Sequence, residues 1–145
     1  MRIAWVLLAA HGLWAQEISF GTVEEAVVEQ RFNRLELRNE QRAAVLRQIF
    51  AEAGCTTERW SEQKFDSAKR PNLICTLPGT TDRRVVVSAH YDKVSAGEGA
   101  IDNWSGASLL PSLFQALSTV PRSHTFVFLL TAARTIRRRT TTPSG

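Results

Sequence analysis

A chain of 145 residues with 43% hydrophobic residues has room for one domain with a real core. The net charge of +4 does not belong to that core: Arg134, Arg137, Arg138 and Arg139 account for all of it, and no acid lies among or after them. A near-neutral body with a basic end argues against the reading as a nucleic-acid binder, where the basic face should be part of the fold.

Met1-Arg2 is a short positive start, Ile3 to Trp14 is apolar apart from His11 and Gly12, and Leu13-Trp14-Ala15 ends on a small residue. That is the pattern of a secretory signal over residues 1–15, with cleavage before Gln16; the alternative is a buried N-terminal strand or helix. The apolar run is too short to span a bilayer well, and no cysteine follows it to carry a lipid. No other stretch suits a membrane crossing. Next, Thr22-Val23-Glu24-Glu25 has the form of a capping box, predicting a helix from Val23 to about Arg31. A second helix is expected from Asn39, with Ala43, Leu46, Ile49, Phe50 and Ala53 on one face and Gly54 as its stop. The charged residues of both helices are expected on solvated faces.

The period then changes. Asn72–Leu77, between Pro71 and Pro78-Gly79, reads as a strand. Arg84–Ala89, continuous at Val85-Val86-Val87, reads as a strand buried on both faces. Gly106–Thr119 reads as a helix, with Pro111 expected to kink it or displace its start. His124–Thr131 is a third strand, apolar throughout, expected mid-sheet with neighbours on both edges, some of them from sequence this chain lacks. Strand, crossover helix, strand is a parallel βαβ unit, so the class is α/β. Residues 134–145 are rich in arginine and threonine and are expected to stay disordered. Cys55 and Cys75 fit either a disulfide, as in exported proteins, or two buried thiols.

Ser88-Ala89-His90-Tyr91-Asp92 stands at the carboxyl end of the strongest strand, where open α/β sheets place their sites. His90 and Asp92 are two apart, so on extended chain their side chains share a face. A carboxylate there can accept the imidazole's second N–H and orient it, as behind a metal-bound histidine. Asp102 follows in a glycine-containing loop, Gly99-Ala100-Ile101-Asp102-Asn103-Trp104-Ser105-Gly106, just before a helix. Its two oxygens can each take a cation. A His-x-Asp taken alone is more often an ordinary core or surface pair than a ligand set.

Pro71 to Gly79, Val85 to Asp92, Ile101 to Ser108 and His124 to Phe128 together resemble the di-zinc aminopeptidases of metallopeptidase family twenty-eight, which also holds glutamate-carboxypeptidase-like members. The resemblance covers about Pro71 to Ala133. It implies a partial three-layer αβα sandwich with a mixed, mostly parallel sheet, cut short, and a peptidase domain over residues 16–133. It implies that His90 ligates zinc, that Asp92 orients His90 as a catalytic residue, and that Asp102 bridges two zinc ions. It implies a peptide substrate, loss of N-terminal residues as the reaction, and a secreted or periplasmic location. The family's general base is the first of a Glu-Glu pair soon after the Phe-Val-Phe strand. Here that stretch reads Thr131-Ala132-Ala133-Arg134-Thr135-Ile136-Arg137, and no acid occurs after Asp102. The chain is therefore expected to be a truncated, inactive form; the alternative is a non-catalytic remnant or binding protein on the same half-domain.

Overall fold

The computed structural model describes residues 21–65 and 70–132. The expected signal and the basic end lie outside the described residues. Helix α1 spans Glu25–Phe32 and α2 spans Asn39–Glu52. Four strands follow, β1 (Trp60–Gln63), β2 (Asn72–Leu77), β3 (Arg84–His90) and β4 (Thr125–Thr131), with α3 (Ser105–Ser118) between the last two. The strand order is β1-β2-β4-β3. β3 and β4 run parallel across α3, while β1–β2 and β2–β4 are antiparallel. The sheet is mixed, as expected, but only the pair with a helix between its strands is parallel, because a parallel return needs that crossover.

Alternation sets the core. Leu73, Cys75 and Leu77 of β2 stand opposite Leu130, Phe128 and Phe126 of β4, and Val87 and Ala89 of β3 continue the same face. Onto that face α2 lays Leu46 and Phe50, and α3 lays Ala107, Leu110, Phe114 and Leu117. Phe50, Phe114 and Phe128 meet edge to face with ring centres 5.5–6.2 Å apart, and Trp60 of β1 tilts against Phe50 at 5.8 Å. Such pairs add about 0.5–1.5 kcal/mol each beyond their buried area. Helix α1 packs on α3 through Arg31, whose guanidinium donates to Ser112 Oγ at 2.8 Å and Gln115 Oε1 at 2.6 Å.

Helix α2 stops where the sequence places its stop. Gly54 takes φ +98°, its N–H donates to Ala51 and the N–H of Cys55 reaches back to the carbonyl of Phe50. That is a glycine-terminated helix end in the left-handed conformation. It delivers Cys55 to Cys75 in the middle of β2, and the two form a disulfide. Disulfides persist in oxidising compartments. Among the described residues no helix is long and apolar enough to cross a membrane.

Several expectations are corrected. The capping box does not form: Glu24 is the N-cap and no side chain caps α1. The segment before it is tied to α3 by the Gly21 N–H to the Ala116 carbonyl, and the Glu24 carbonyl, not Thr22, begins the helical bonds. The charged helix residues are not all solvated, since Arg31 and Arg42 are buried. β3 is not covered on both faces. It is the edge of the described sheet, with Val85 37% and Val86 59% exposed. β4 does lie mid-sheet, and both its neighbours, β2 and β3, belong to this chain. β1 was not expected from sequence; three of its four residues are polar and exposed. Helix α3 runs through Pro111 and starts well before it.

Candidate metal site at the end of β3

His90 is the last residue of β3, and Tyr91 fixes the chain just beyond it. Alternation turns Tyr91 into the core, where it is fully buried. Its N–H donates to the Thr131 carbonyl at the end of β4, and its hydroxyl donates to the Pro71 carbonyl at 2.7 Å. His90 and Asp92 are thereby held on either side of a fixed residue. Burial pushes the Tyr91 phenol up from its ordinary value near 10 to about 12. Its neutral form is thus favoured in the fold, giving stability that is full below pH about 10 and is lost as the pH rises through about 12. Tyr91 is the chain's one tyrosine. Phenolate absorbance of the folded protein is therefore expected to titrate near pH 12, against about 10 once it is denatured. A folded-state midpoint near 10 would show that the hydroxyl is not sequestered.

The imidazole of His90 is gripped at both nitrogens. Nδ1 lies 3.1 Å from the main-chain carbonyl of Asp92 and 3.5 Å from its carboxylate Oδ1, so the carbonyl is the closer acceptor. The sequence reading assigned that orienting role to the carboxylate alone. Nε2 lies 2.9 Å from Oδ1 of Asp102. Asp102 comes from the wide turn Ala100–Trp104, whose Trp104 N–H bonds to the Gly99 carbonyl at 3.1 Å and which runs directly into α3. The Asp102–Asn103 peptide is cis. The structure thus brings His90, Asp92 and Asp102 to one place, as the family resemblance implies, around an open cavity of about 430 Å³. Glu98 and Lys93 also line it, with the exposed apolar side chains of Val94 and Ile101 at its rim.

Two neighbours were missed from sequence. Arg42 of α2, with no exposed surface, lies 5.5 Å over the ring of Trp104 and bonds to main-chain carbonyls around the site. Asn39 binds Lys93 at both ends of its peptide backbone. A signal for Arg42 existed: it lies four residues before Leu46 on the apolar face of α2, where a charge needs a buried partner. Asn39 gave none, since it reads as an ordinary helix start.

The chemistry of the donor set decides what metal can fit. Nδ1 faces the Asp92 carbonyl and Nε2 faces the Asp102 carboxylate at 2.9 Å, a contact that an N–H on Nε2 satisfies or, in the tautomer with the proton on Nδ1, a cation shared by the two side chains. His90 and Asp102 therefore fit one cation held by two side chains with solvent completing its shell. Among the described residues no group of three or more His, Cys, Asp and Glu side chains is placed to hold a metal, and catalytic zinc ordinarily takes three protein ligands.

Residues 72–133 match the sequence profile of Peptidase family M28. None of the curated proteins matches significantly. Among solved structures, the fold is similar to a glutaminyl cyclase of an Acidobacteriales bacterium (16% identity, TM-score 0.62, 86% of this chain and 48% of that one). It is similar also to a tripeptidase of Staphylococcus aureus (19%, 0.57, 77% and 37%). The LapA aminopeptidase of Legionella pneumophila is a further likeness (18%, 0.51, 83% and 41%). This chain spans less than half the length of each. The likenesses are at the level of fold, and that fold carries cyclases and peptidases alike. The segment 72–133, which holds the strand, turn and helix that bring His90, Asp92 and Asp102 together, is thus the part of the chain that is similar to Peptidase family M28.

Proposed function

We propose that this chain carries the His90–Asp102 arm of a zinc aminopeptidase-type centre, and that with the residues it has it binds one divalent cation weakly and does not hydrolyse peptides. The observation that supports the reading is the 2.9 Å approach of His90 Nε2 to Asp102 Oδ1, with Nδ1 already engaged by Asp92. When bound, zinc would polarise a carbonyl and lower the pKa of its water. The chain's own residues do the rest: Asp92 fixes the ring and leaves Nε2 free to donate electrons, and Asp102 supplies the anion. The substrate class is a peptide with a free N-terminus, on the strength of the family match, since the structural neighbours include cyclases. The disulfide and the signal-like start support a secreted or periplasmic location.

Calorimetric titration with zinc chloride tests the cation site. One weak site is expected, lost in both His90→Ala and Asp102→Ala. Tight uptake of two ions that neither substitution disturbs would overturn the assignment.

A further inference from the structure

Eleven residues, 91–101, separate His90 from Asp102, and beyond Tyr91 this connection has almost no regular structure until the turn at Ala100. A loop of that kind would let the two side chains wander. What holds it is an outside element. From α2, the Arg42 guanidinium donates to the carbonyls of Tyr91 and Gly99 at 3.3 Å each, and to that of Glu98. Its Nε donates to the Glu36 carbonyl at 2.6 Å, and its plane lies over Trp104. One turn earlier on the same helix, the Asn39 amide accepts from the Lys93 N–H at 2.9 Å and donates to the Lys93 carbonyl at 3.1 Å. The connection is thus pinned near its start, at Tyr91 and Lys93, and near its end, at Glu98 and Gly99. Gly99 takes φ +65°, which a residue with a side chain rarely adopts, and this turns its carbonyl to both Arg42 and the Trp104 N–H.

We infer that Arg42 and Asn39 are positioning residues of the candidate metal site, which set the separation of His90 from Asp102 by templating the 91–99 loop on α2. The inference rests on the proposed cation site and adds residues to it. The charge makes sense in this role. Five N–H donors in a rigid fork satisfy several carbonyls at once, which a lysine with its single ammonium head does less well. Burial pushes the Arg42 pKa down, and the nearby Asp92 carboxylate opposes that shift. Arg31 supplies an internal contrast. It is also buried, but it bonds to Ser112 and Gln115 of α3, with no acceptor in the loop.

The experiment compares Arg42→Lys, Asn39→Ala and Arg31→Lys in the full chain by zinc calorimetry, thermal unfolding and amide hydrogen exchange. Arg42→Lys and Asn39→Ala are expected to weaken zinc binding about 10- to 100-fold. Both should speed exchange at the Tyr91 and Trp104 amides selectively. Arg31→Lys should lower the unfolding temperature while leaving zinc affinity within about twofold and those two amides no faster than global unfolding requires. Should Arg42→Lys not fold, Asn39→Ala carries the same readouts from a more exposed position. If the unaltered chain binds no zinc, the proposed function falls, and exchange at Tyr91 and Trp104 alone decides the positioning role. Equal exchange at those amides in the Arg31 and loop variants at matched stability overturns the inference, as does unchanged zinc affinity in a chain that binds zinc.

Discussion

Incubated with an amino-acid anilide, this chain is expected to show no hydrolysis above the buffer rate, with or without added zinc. Two deficits combine. Nothing after Asp102 in the sequence is acidic, so the stretch following β4, where the resemblance drawn from the sequence implies a general base, offers alanine and arginine instead. General-base catalysis alone is worth typically about 10²- to 10⁴-fold. The second deficit is the donor set: His90 and Asp102 meet, but among the described residues no third ligand joins them. A cation held by two side chains is not fixed well enough to present water and substrate to each other. Besides Asp92 and Asp102, Glu98 lines the same cavity and is the carboxylate to test as a stand-in base. The decisive control is therefore a preparation freed of host peptidases, compared with His90→Ala and Glu98→Gln. Zinc-dependent turnover that vanishes in either variant would refute the expectation.

Phe50→Ala is expected to cost about 3–5 kcal/mol, the range for removing a buried aromatic ring from a packed core. Phe50 has no exposed surface and is the hub of the aromatic cluster, touching Trp60, Phe114 and Phe128. It therefore joins α2, α3, β1 and β4 through one side chain. Domains of this size are stable by only about 5–15 kcal/mol, so the loss takes a large share of the total. It should appear as a fall in unfolding temperature of well over about 10 °C. Leu113→Ala, on the exposed side of α3 at 37% exposure, is the reference and should change stability far less. A Phe50→Ala protein within about 1 kcal/mol of the parent would mean that the ring cluster is not where the fold's cohesion lies.

The parts of the fold visible in sequence are those governed by local periodicity. β2 was bounded to the residue by Pro71 and Pro78, and α2 by Asn39 and Gly54, because turn and cap chemistry is written in single residues. The Asp102 turn and the end of β3 were placed together only through the family resemblance, since neither periodicity nor turn chemistry joins them. What was not visible depends on partners distant in sequence. The valines of β3 read as doubly buried, but burial of a strand's second face is decided by what packs there, not by the strand. β1 is invisible because Ser61, Glu62 and Gln63 lack strand propensity; their place is set by pairing with Ile74, Leu73 and Asn72. Arg42 was assigned to solvent because a charge on a helix usually goes there, and most of what holds it inside, the carbonyls of residues 91, 98 and 99 and the ring of Trp104, lies about fifty to sixty residues on.

The Cys55–Cys75 bond lies at a place where it does more than brace a finished molecule. Cys75 is the residue directly opposite Trp60 in the β1–β2 pairing, and the bond closes a loop of sequence separation 20 that contains all of β1. In the unfolded chain such a closure removes roughly 3 kcal/mol worth of loop entropy. The ensemble it leaves behind already holds the approach to β1 beside the centre of β2. A strand as polar and short as β1 could slide by one residue along its partner, which would turn Trp60 away from Phe50. The tether narrows that choice before any core has formed. An intrinsically weak edge strand thus gains its alignment from covalent memory, written at the moment of oxidation and retained through any later loss of tertiary structure.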